Sequence, residues 1–240
     1  MVAYGRTRNP GRIDALALSS QLLRDTILAD SPLSYWPLTE SSGGAVDVVA
    51  GRNGVIAGSV TRPSSPMMGD GAGAGFSGSG QRIDIADAAV WDYSGAWTAE
   101  CFAYLTSLPA PSTATVFCRE GSTGPSQRWL LGVSSENKPF GYTANGSIYK
   151  VLAGPTDWPI GQWCHLALVR ESGGTLRLYF NGAEIGSTTG AVTADSTEQL
   201  TIGSNSMNYG PWPGGAAHCA VYTTALSAAR IAVHAAAGLA

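Results

Sequence analysis

The residues best suited to recognition chemistry lie in one loop near the end of the chain. Residues 204–213 read SNSMNYGPWP, so the amides of Asn205 and Asn208 stand beside the rings of Tyr209 and Trp212. Aromatic rings stack on flat apolar faces while amides bond to hydroxyl groups, a combination that suits a sugar. The alternative is structural, with Trp212 packed under the loop and Tyr209 covering a sheet. The sequence leaves both interpretations open.

Groups for acid–base or covalent catalysis are sparse. Glu100 has no second carboxylate two to four residues away, whereas glycoside hydrolysis needs two carboxyl groups at one bond. Asp84 and Asp87 are three residues apart, which places them on opposite faces of a strand. No Gly-x-Ser-x-Gly precedes a helix, and residues 71–75 lack the lysine and following helix of a phosphate-binding loop. We therefore predict that the chain is not an enzyme.

Residues that commonly bind metals are scattered along the chain. The three histidines are far apart and have no carboxylate at ligand spacing: His165, His218 and His234. The four cysteines are too distant in sequence to form a metal knuckle: Cys101, Cys118, Cys164 and Cys219. We expect them to be buried, reduced thiols.

Composition excludes several classes of protein. Of the 240 residues, 44% are hydrophobic, enough for a sizeable core, and only 13% are charged, about half the usual fraction. The net charge is −3 and the basic residues are dispersed apart from Arg6, Arg8 and Arg12, so we expect no nucleic-acid partner. No apolar run approaches the ~20 residues that span a bilayer. Asp14 interrupts the first apolar stretch, so we also predict no signal peptide and no membrane partner.

The first thirty residues predict an arm followed by a helix. Residues 1–11 are polar, and apolar residues then recur three or four apart across 12–30 until Pro32 ends the pattern. We interpret residues 1–30 as an anchor and 31–240 as the main domain. The candidates for docking on a partner subunit are Tyr4, Arg6, Arg8, Arg12, Ile13, Leu16, Leu23 and Ile27. The alternative is that the apolar stripe packs on the chain's own domain.

From Leu33 onward the pattern predicts short strands. Trp97–Leu105 alternates with Trp97, Ala99, Cys101, Ala103 and Leu105 on one face, and a Glu-Ser-Gly-Gly turn joins strands at 163–170 and 175–180. A closing helix is expected over 227–237, capped by Ser227 and ended by Gly238. The predicted fold is all-β, an antiparallel sandwich or jelly roll with a short helix at each end.

Six segments, in order, resemble laminin G-like domains of the concanavalin A-like lectin/glucanase superfamily. They are LADSPLSYWPLTESSGG, DVVAGRNGVIAG, FSGSGQRIDIAD, WTAECFAYL, WCHLALVR with GTLRLYFNGAEIG, and GGAAHCAVYTTALSAARIAVHAAAG. The likeness covers about residues 30–240 and implies a jelly roll. It also implies that calcium could bind at the rim, where Asp47, Asp70 and Asn205 lie in candidate loops without a recognisable ligand motif. We therefore expect no cofactor, with calcium as the alternative.

The short helix followed at once by LADSPLSYWPL also resembles laminin G-like proteins of tailed bacteriophages. That resemblance implies a structural, decoration or adhesion protein of the virion, made in the host cytoplasm and held by its arm to other capsid or tail proteins. It would form a homo-oligomer within the assembly and touch a host glycan. The alternatives are a lectin whose main role is glycan recognition and a divergent glycoside hydrolase.

Overall fold

Two antiparallel sheets face each other across an apolar core. The computed structural model describes residues 22–64, 68, 71–78, 80–109, 112–120, 128–145, 148–192 and 197–239. Within these residues each sheet has seven strands. The predicted all-β sandwich with a short helix near each end is confirmed.

The strands of the first sheet are β1 (Ser34–Trp36), β3 (Ala74–Phe76), β5 (Trp97–Leu105), β10 (Trp163–Arg170), β11 (Leu176–Phe180), β12 (Ala183–Thr188) and β14 (Gly214–Tyr222). Their order is β1-β14-β5-β10-β11-β12, and β3 pairs with the opposite end of β14. The predicted hairpin is confirmed as β10 and β11, which pair from Leu166 with Phe180 to Arg170 with Leu176. The sequence patterns did not predict β12.

The strands of the second sheet are β2 (Val55–Ala57), β4 (Arg82–Ile85), β6 (Ala114–Arg119), β7 (Arg128–Val133), β8 (Pro139–Ala144), β9 (Tyr149–Ala153) and β13 (Leu200–Ile202). They follow the order β2-β4-β13-β6-β7-β8-β9. One turn of 3-10 helix at Ala89–Trp91 precedes β5.

The main core lies between the sheets, because each strand turns alternate side chains inward. The five residues of β5 expected on one face are all buried in this core. It also contains Trp36, Trp91, Trp129, Trp158 and Trp212. An aromatic core of this size stabilises the sandwich without a disulfide, and the four cysteines are buried and free, as predicted.

Helix α1 (22–29) and helix α2 (Ala228–Leu239) cover the outer face of the first sheet. Leu23 and Ile27 from α1 join Ile231 from α2 in a second apolar cluster over Phe102 and Tyr179. This arrangement leaves the outer face of the second sheet free of helices in the described part of the chain. No helix among the described residues is long and apolar enough to cross a membrane.

The two ends of α2 show one correct and one incorrect sequence expectation. Ser227 caps the helix as predicted, since its Oγ accepts a hydrogen bond from the backbone N–H of Arg230 at 3.3 Å. Gly238, expected to end the helix, instead lies inside it. A Cβ at this position would lie 2.4 Å from ring carbons of Phe102. Glycine is needed here for close packing on the sheet and not for a turn.

Candidate functional site

A groove of about 280 Å³ opens on the outer face of the second sheet. Its walls come from β6 to β9 and from the loop that follows β13. The lining residues are Thr113, Thr115, Glu120, Arg128, Leu130, Phe140, Tyr142, Tyr149, Asn205, Met207, Tyr209 and Gly210. The combination is aromatic rings around a few polar groups, the usual composition of a small-molecule site.

Strand alternation explains why the rings of β8 face outward. Gly141 points into the sandwich, where a Cβ would lie 3.1 Å from a methyl of Leu178. Its neighbours Phe140 and Tyr142 therefore project to the other side. Tyr142 pairs with Val151 of β9, and Ala144 pairs with Tyr149. The register thus places Tyr149 on the same outer face as Tyr142.

The aromatic rings form a continuous surface with a buried and an exposed part. The ring centroids of Phe140 and Tyr142 are 5.7 Å apart, and those of Tyr142 and Tyr149 are 4.8 Å apart. Phe140 and Tyr142 are buried, whereas Tyr149 is 57% exposed and Tyr209 is 66% exposed. The exposed rings are available to stack on a ligand, and the buried ring of Tyr142 supports that of Tyr149.

A carboxylate and a guanidinium add directional chemistry to the groove. The Tyr142 hydroxyl donates a hydrogen bond to Glu120. Glu120 also forms an ion pair with Arg128, whose Nε lies 3.4 Å from the carboxylate without a hydrogen bond. Burial and the charge of Glu120 raise the pKa of the Tyr142 hydroxyl. Tyr142 therefore stays a neutral donor, and Arg128 keeps N–H donors for a ligand.

The four loop residues proposed from sequence separate into two groups. Asn205 and Tyr209 line the groove, and the Asn205 side chain accepts a hydrogen bond from the Tyr209 backbone N–H at 2.8 Å. Asn208 instead accepts one from the backbone N–H of Gly80 at 2.6 Å and does not line the groove. Trp212 is fully buried in the core, and its Nε1 donates to Tyr104 and Gly215 carbonyls. For Trp212 the structural alternative is correct, because its ring faces the core and not a ligand.

Most of the predicted docking residues lie outside the described part of the chain: Tyr4, Arg6, Arg8, Arg12, Ile13 and Leu16. Leu23 and Ile27 are described, and both are buried against the chain's own first sheet. The expectation that these two side chains contact a partner subunit is therefore wrong for this structure. Their apolar stripe is satisfied within the chain, the alternative that the sequence left open.

The described calcium candidates have other roles. Asp47 is buried, and its carboxylate accepts hydrogen bonds from four backbone N–H groups: Tyr35, Val49, Ala50 and Arg52. Asn205 belongs to the groove, and Asp70 lies outside the described residues. No group of three or more His, Cys, Asp or Glu residues arranged for a metal ion occurs in the part of the chain that the structure describes.

A second cluster of ionisable groups lies under the helices, and residue spacing did not predict it. Glu100 is 0% exposed. Its carboxylate lies 3.0 Å from Nε2 of His165 and 2.9 Å from Nδ1 of His234, and it accepts a hydrogen bond from the Tyr222 hydroxyl. Nε2 of His234 lies 2.7 Å from Asp30 at the end of α1. Two histidines that are distant in sequence thus share one carboxylate.

The geometry of this cluster sets its charge state. Each ring nitrogen of His234 faces a carboxylate oxygen, so both can donate only when the ring is an imidazolium. Burial by itself lowers the pKa of His234, but hydrogen bonds and attraction from Glu100 and Asp30 outweigh it and raise the pKa above its usual value. Burial likewise raises the pKa of Glu100, and His165 and His234 outweigh it and hold it well below its usual range. Glu100, His165 and His234 are 0% exposed and Asp30 is 17% exposed, so the cluster joins the helices to the sheet.

Solved structures share this fold. A botulinum neurotoxin serotype D binding domain superposes with a TM-score of 0.68 at 12% identity, covering 88% of this chain and 52% of the toxin chain. The serotype D ligand-binding domain in complex with N-acetylneuraminic acid gives 0.67 at 13% identity, with coverage of 88% and 52%. This chain therefore spans about half the length of the toxin domains it matches.

Another similar structure corresponds in length. Domain 4 of an extracellular arabinanase from Geobacillus stearothermophilus, in complex with arabinotriose, gives a TM-score of 0.64 at 17% identity. The match covers 85% of this chain and 98% of that domain. At these identities the likeness concerns the fold alone.

Sequence comparison identifies the family. No curated protein matches the chain. A laminin G family model, described as the concanavalin A-like lectin/glucanases superfamily, matches residues 77–232. The matched region is about two thirds of the chain and contains the groove and most strands of both sheets. The chain therefore belongs to the laminin G-like group of the concanavalin A-like lectin/glucanases superfamily.

Proposed function

We propose that this protein is a non-catalytic carbohydrate-binding domain whose site is the groove on the second sheet. The observation that carries the proposal is the pair of exposed rings, Tyr149 and Tyr209, beside Asn205, Glu120 and Arg128. Sugar rings present flat C–H faces to aromatic rings and hydroxyl groups to amides and charged side chains. The groove offers both kinds of contact on one face.

The ligands of similar structures support the same class of ligand. The neurotoxin ligand-binding domain is in complex with N-acetylneuraminic acid, and the arabinanase domain is in complex with arabinotriose. One is an acidic sugar and the other a neutral oligosaccharide. Both are therefore included as probes for this groove.

The groove lacks the constellation of a glycoside hydrolase. Among its described lining residues Glu120 is the only acid, and hydrolysis with either stereochemistry uses two carboxyl groups. Glu120 is also engaged by Tyr142 and Arg128. This placement supports binding without cleavage.

The test is binding by calorimetry to arabinotriose, N-acetylneuraminic acid and a glycan array. We expect at least one carbohydrate to bind. Tyr149→Ala should lower the affinity for that carbohydrate about tenfold, because an aromatic contact contributes ~0.5–1.5 kcal/mol of binding free energy beyond that of the buried area. Tyr149→Phe keeps the ring and should retain most of the affinity. Ile160→Ala, an exposed site that does not line the groove, is the control for surface changes. Equal affinity for the wild type and Tyr149→Ala would place the ligand elsewhere.

We also propose that the domain is displayed on a phage-type particle. The sequence resemblance described above and the basic residues Arg6, Arg8 and Arg12 support this proposal. The anchor would then be residues 1–21, because Leu23 and Ile27 of α1 pack on the chain's own sheet. Particles assembled with a variant lacking residues 1–21 should not contain the protein. Normal incorporation of that variant would rule out the arm as the anchor.

A further inference from the structure

We propose that a second, smaller pocket on the opposite side of the sandwich binds a neutral ligand rich in hydroxyl groups, of the size of one sugar ring. The pocket has a volume of about 160 Å³. It lies at the end of the first sheet where β3 pairs with β14. It shares no lining residue with the groove, so the inference does not depend on the proposed function.

A cross-strand row of four residues crosses this end of the sheet, and three of them line the pocket: Gly75, Gly215 and Tyr104. Gly75 pairs with Gly215, Gly215 with Tyr104, and Tyr104 with Trp163. Directly paired residues lie on one face of a sheet. The row therefore gives two positions of bare backbone followed by two aromatic rings, whose centroids are 5.6 Å apart.

The two glycines let neighbouring side chains pack directly on the backbone at the edge of the pocket. A Cβ at Gly75 would lie 2.8 Å from Cβ of Ser64, and a Cβ at Gly215 would lie 2.9 Å from the ring of Trp163. A larger residue at either position would therefore overlap Ser64 or Trp163. A ligand ring in the pocket can pack against Tyr104, which lines it.

The walls supply hydroxyl groups and no charge. Five lining residues carry a hydroxyl: Thr61, Ser64, Ser77, Tyr104 and Thr106. No acidic or basic side chain is among the described lining residues, so an ionic ligand would lose hydration without a counter-charge. A neutral ligand with several hydroxyl groups fits both observations.

Ser64 gives the second, independent indication of a ligand. It is 5% exposed, and its Oγ makes no hydrogen bond within the described part of the chain. Leaving a buried hydroxyl without a partner costs free energy that a bound ligand hydroxyl would recover.

The experiment is a titration of the ¹⁵N-labelled protein with neutral monosaccharides: arabinose, galactose, glucose and N-acetylglucosamine. We expect at least one to shift the amides of Gly75 and Gly215 and the indole N–H of Trp163 saturably at millimolar concentration. Glucuronate, which is charged, should not. Absence of saturable shifts with every neutral sugar would overturn the proposal.

Ser64→Ala separates a binding role from a structural one. The variant should bind the sugar about tenfold more weakly, because one hydrogen bond is lost, while its thermal stability is unchanged or higher. Unchanged affinity, or a loss of stability, would contradict the assignment. Tyr149→Ala is the control for the groove and should leave the shifts at Gly75 and Gly215 intact. If Tyr149→Ala removed the shifts at Gly75 and Gly215 as well as binding at the groove, the two sites would not be independent.

Discussion

Glu100 shows how one side chain can be fixed by chemistry that its neighbours in sequence do not reveal. The sequence places no second carboxylate two to four residues from it, and in the structure it is the acceptor for His165, His234 and Tyr222. Its partners come from β10, α2 and β14, and are separated from it by 65, 134 and 122 residues. Spacing along the chain could not have shown this. The alternation of side chains along β5 predicts that Glu100 lies on the outer face of the strand. The packing of α2 on that face then buries it.

Replacing this carboxylate should destabilise the fold strongly. We expect Glu100→Gln to lower the free energy of unfolding by about 3–5 kcal/mol, because it leaves the buried imidazolium of His234 without this counter-charge. Urea denaturation measures the change. Glu184→Gln is the matched control: Glu184 pairs with Arg177 at the surface, and its loss should cost at most about 1 kcal/mol. Similar losses in the two variants would show that Glu100 is not a buried ion-pair partner.

The groove was only half predictable at the residue scale. The Asn-rich loop led to Asn205 and Tyr209 because amides beside aromatic rings are a local signal. Glu120, Arg128, Tyr142 and Tyr149 were missed, although strand patterns could have placed the last three on outward positions. The sequence does not show which outer face of the sandwich remains exposed, because that depends on where the helices pack.

At the scale of elements, α2 is fitted closely to the sheet beneath it. Gly→Ala inside a helix usually stabilises by up to about 1 kcal/mol. At Gly238 we expect the opposite sign, with a loss of ~1–3 kcal/mol, because the new Cβ would overlap the ring of Phe102. Thermal denaturation tests this, with Ala236→Gly on the exposed side as the control for helix propensity alone. Stabilisation by Gly238→Ala would show that the contact with Phe102 is not tight.

The same helix should make stability depend on pH. Around His234 lie Glu100 from β5, Asp30 at the end of α1, Arg230 from α2, His165 from β10 and Tyr222 from β14. Because the folded-state pKa of His234 is raised above 6.5, its contribution is fully present below pH 6.5. It is lost as pH rises through the raised pKa.

We therefore compare the wild type with His234→Gln from pH 6 to pH 9. The difference in unfolding free energy should shrink as pH rises, by at most about 1.4 kcal/mol per pH unit. Acidification should weaken the cluster separately, since the depressed pKa of Glu100 stabilises the fold above its unfolded value of 4.5 and that contribution fades below it. A difference that stays constant across the alkaline range would mean that His234 is not charged in the folded protein.

At the scale of the whole molecule, the boundary drawn at residue 30 does not separate an anchor from an independent domain. Removing residues 1–30 takes away Leu23, Ile27 and Asp30. We expect a loss of about 3–6 kcal/mol from the two apolar side chains alone and a fall in melting temperature of roughly 10 °C. Removing only residues 1–21 keeps these contacts and should cost much less. Equal melting temperatures for the two truncations would show that α1 adds nothing to the sandwich.

The architecture itself was largely predictable, because alternating side chains and turn residues act locally. The nine residues of β5 and the hairpin of β10 and β11 followed from such patterns. β12 was missed because Ala183–Thr188 lies at a sheet edge and buries little, so it shows no contrast between its faces. The role of Gly238 was also predicted wrongly. A glycine near a helix end usually indicates a cap, and the sequence does not show that an aromatic ring packs against this one.

The two helices and the groove lie on opposite outer faces, and this arrangement gives the molecule a front and a back. Any support joined through α1 or α2 would hold it from behind, with Tyr149 and Tyr209 turned toward whatever approaches from the other side. A chip surface coupled near α2 should therefore capture ligand as well as free protein does, whereas coupling through a cysteine in the variant Met207→Cys, at a residue that lines the groove, should block it.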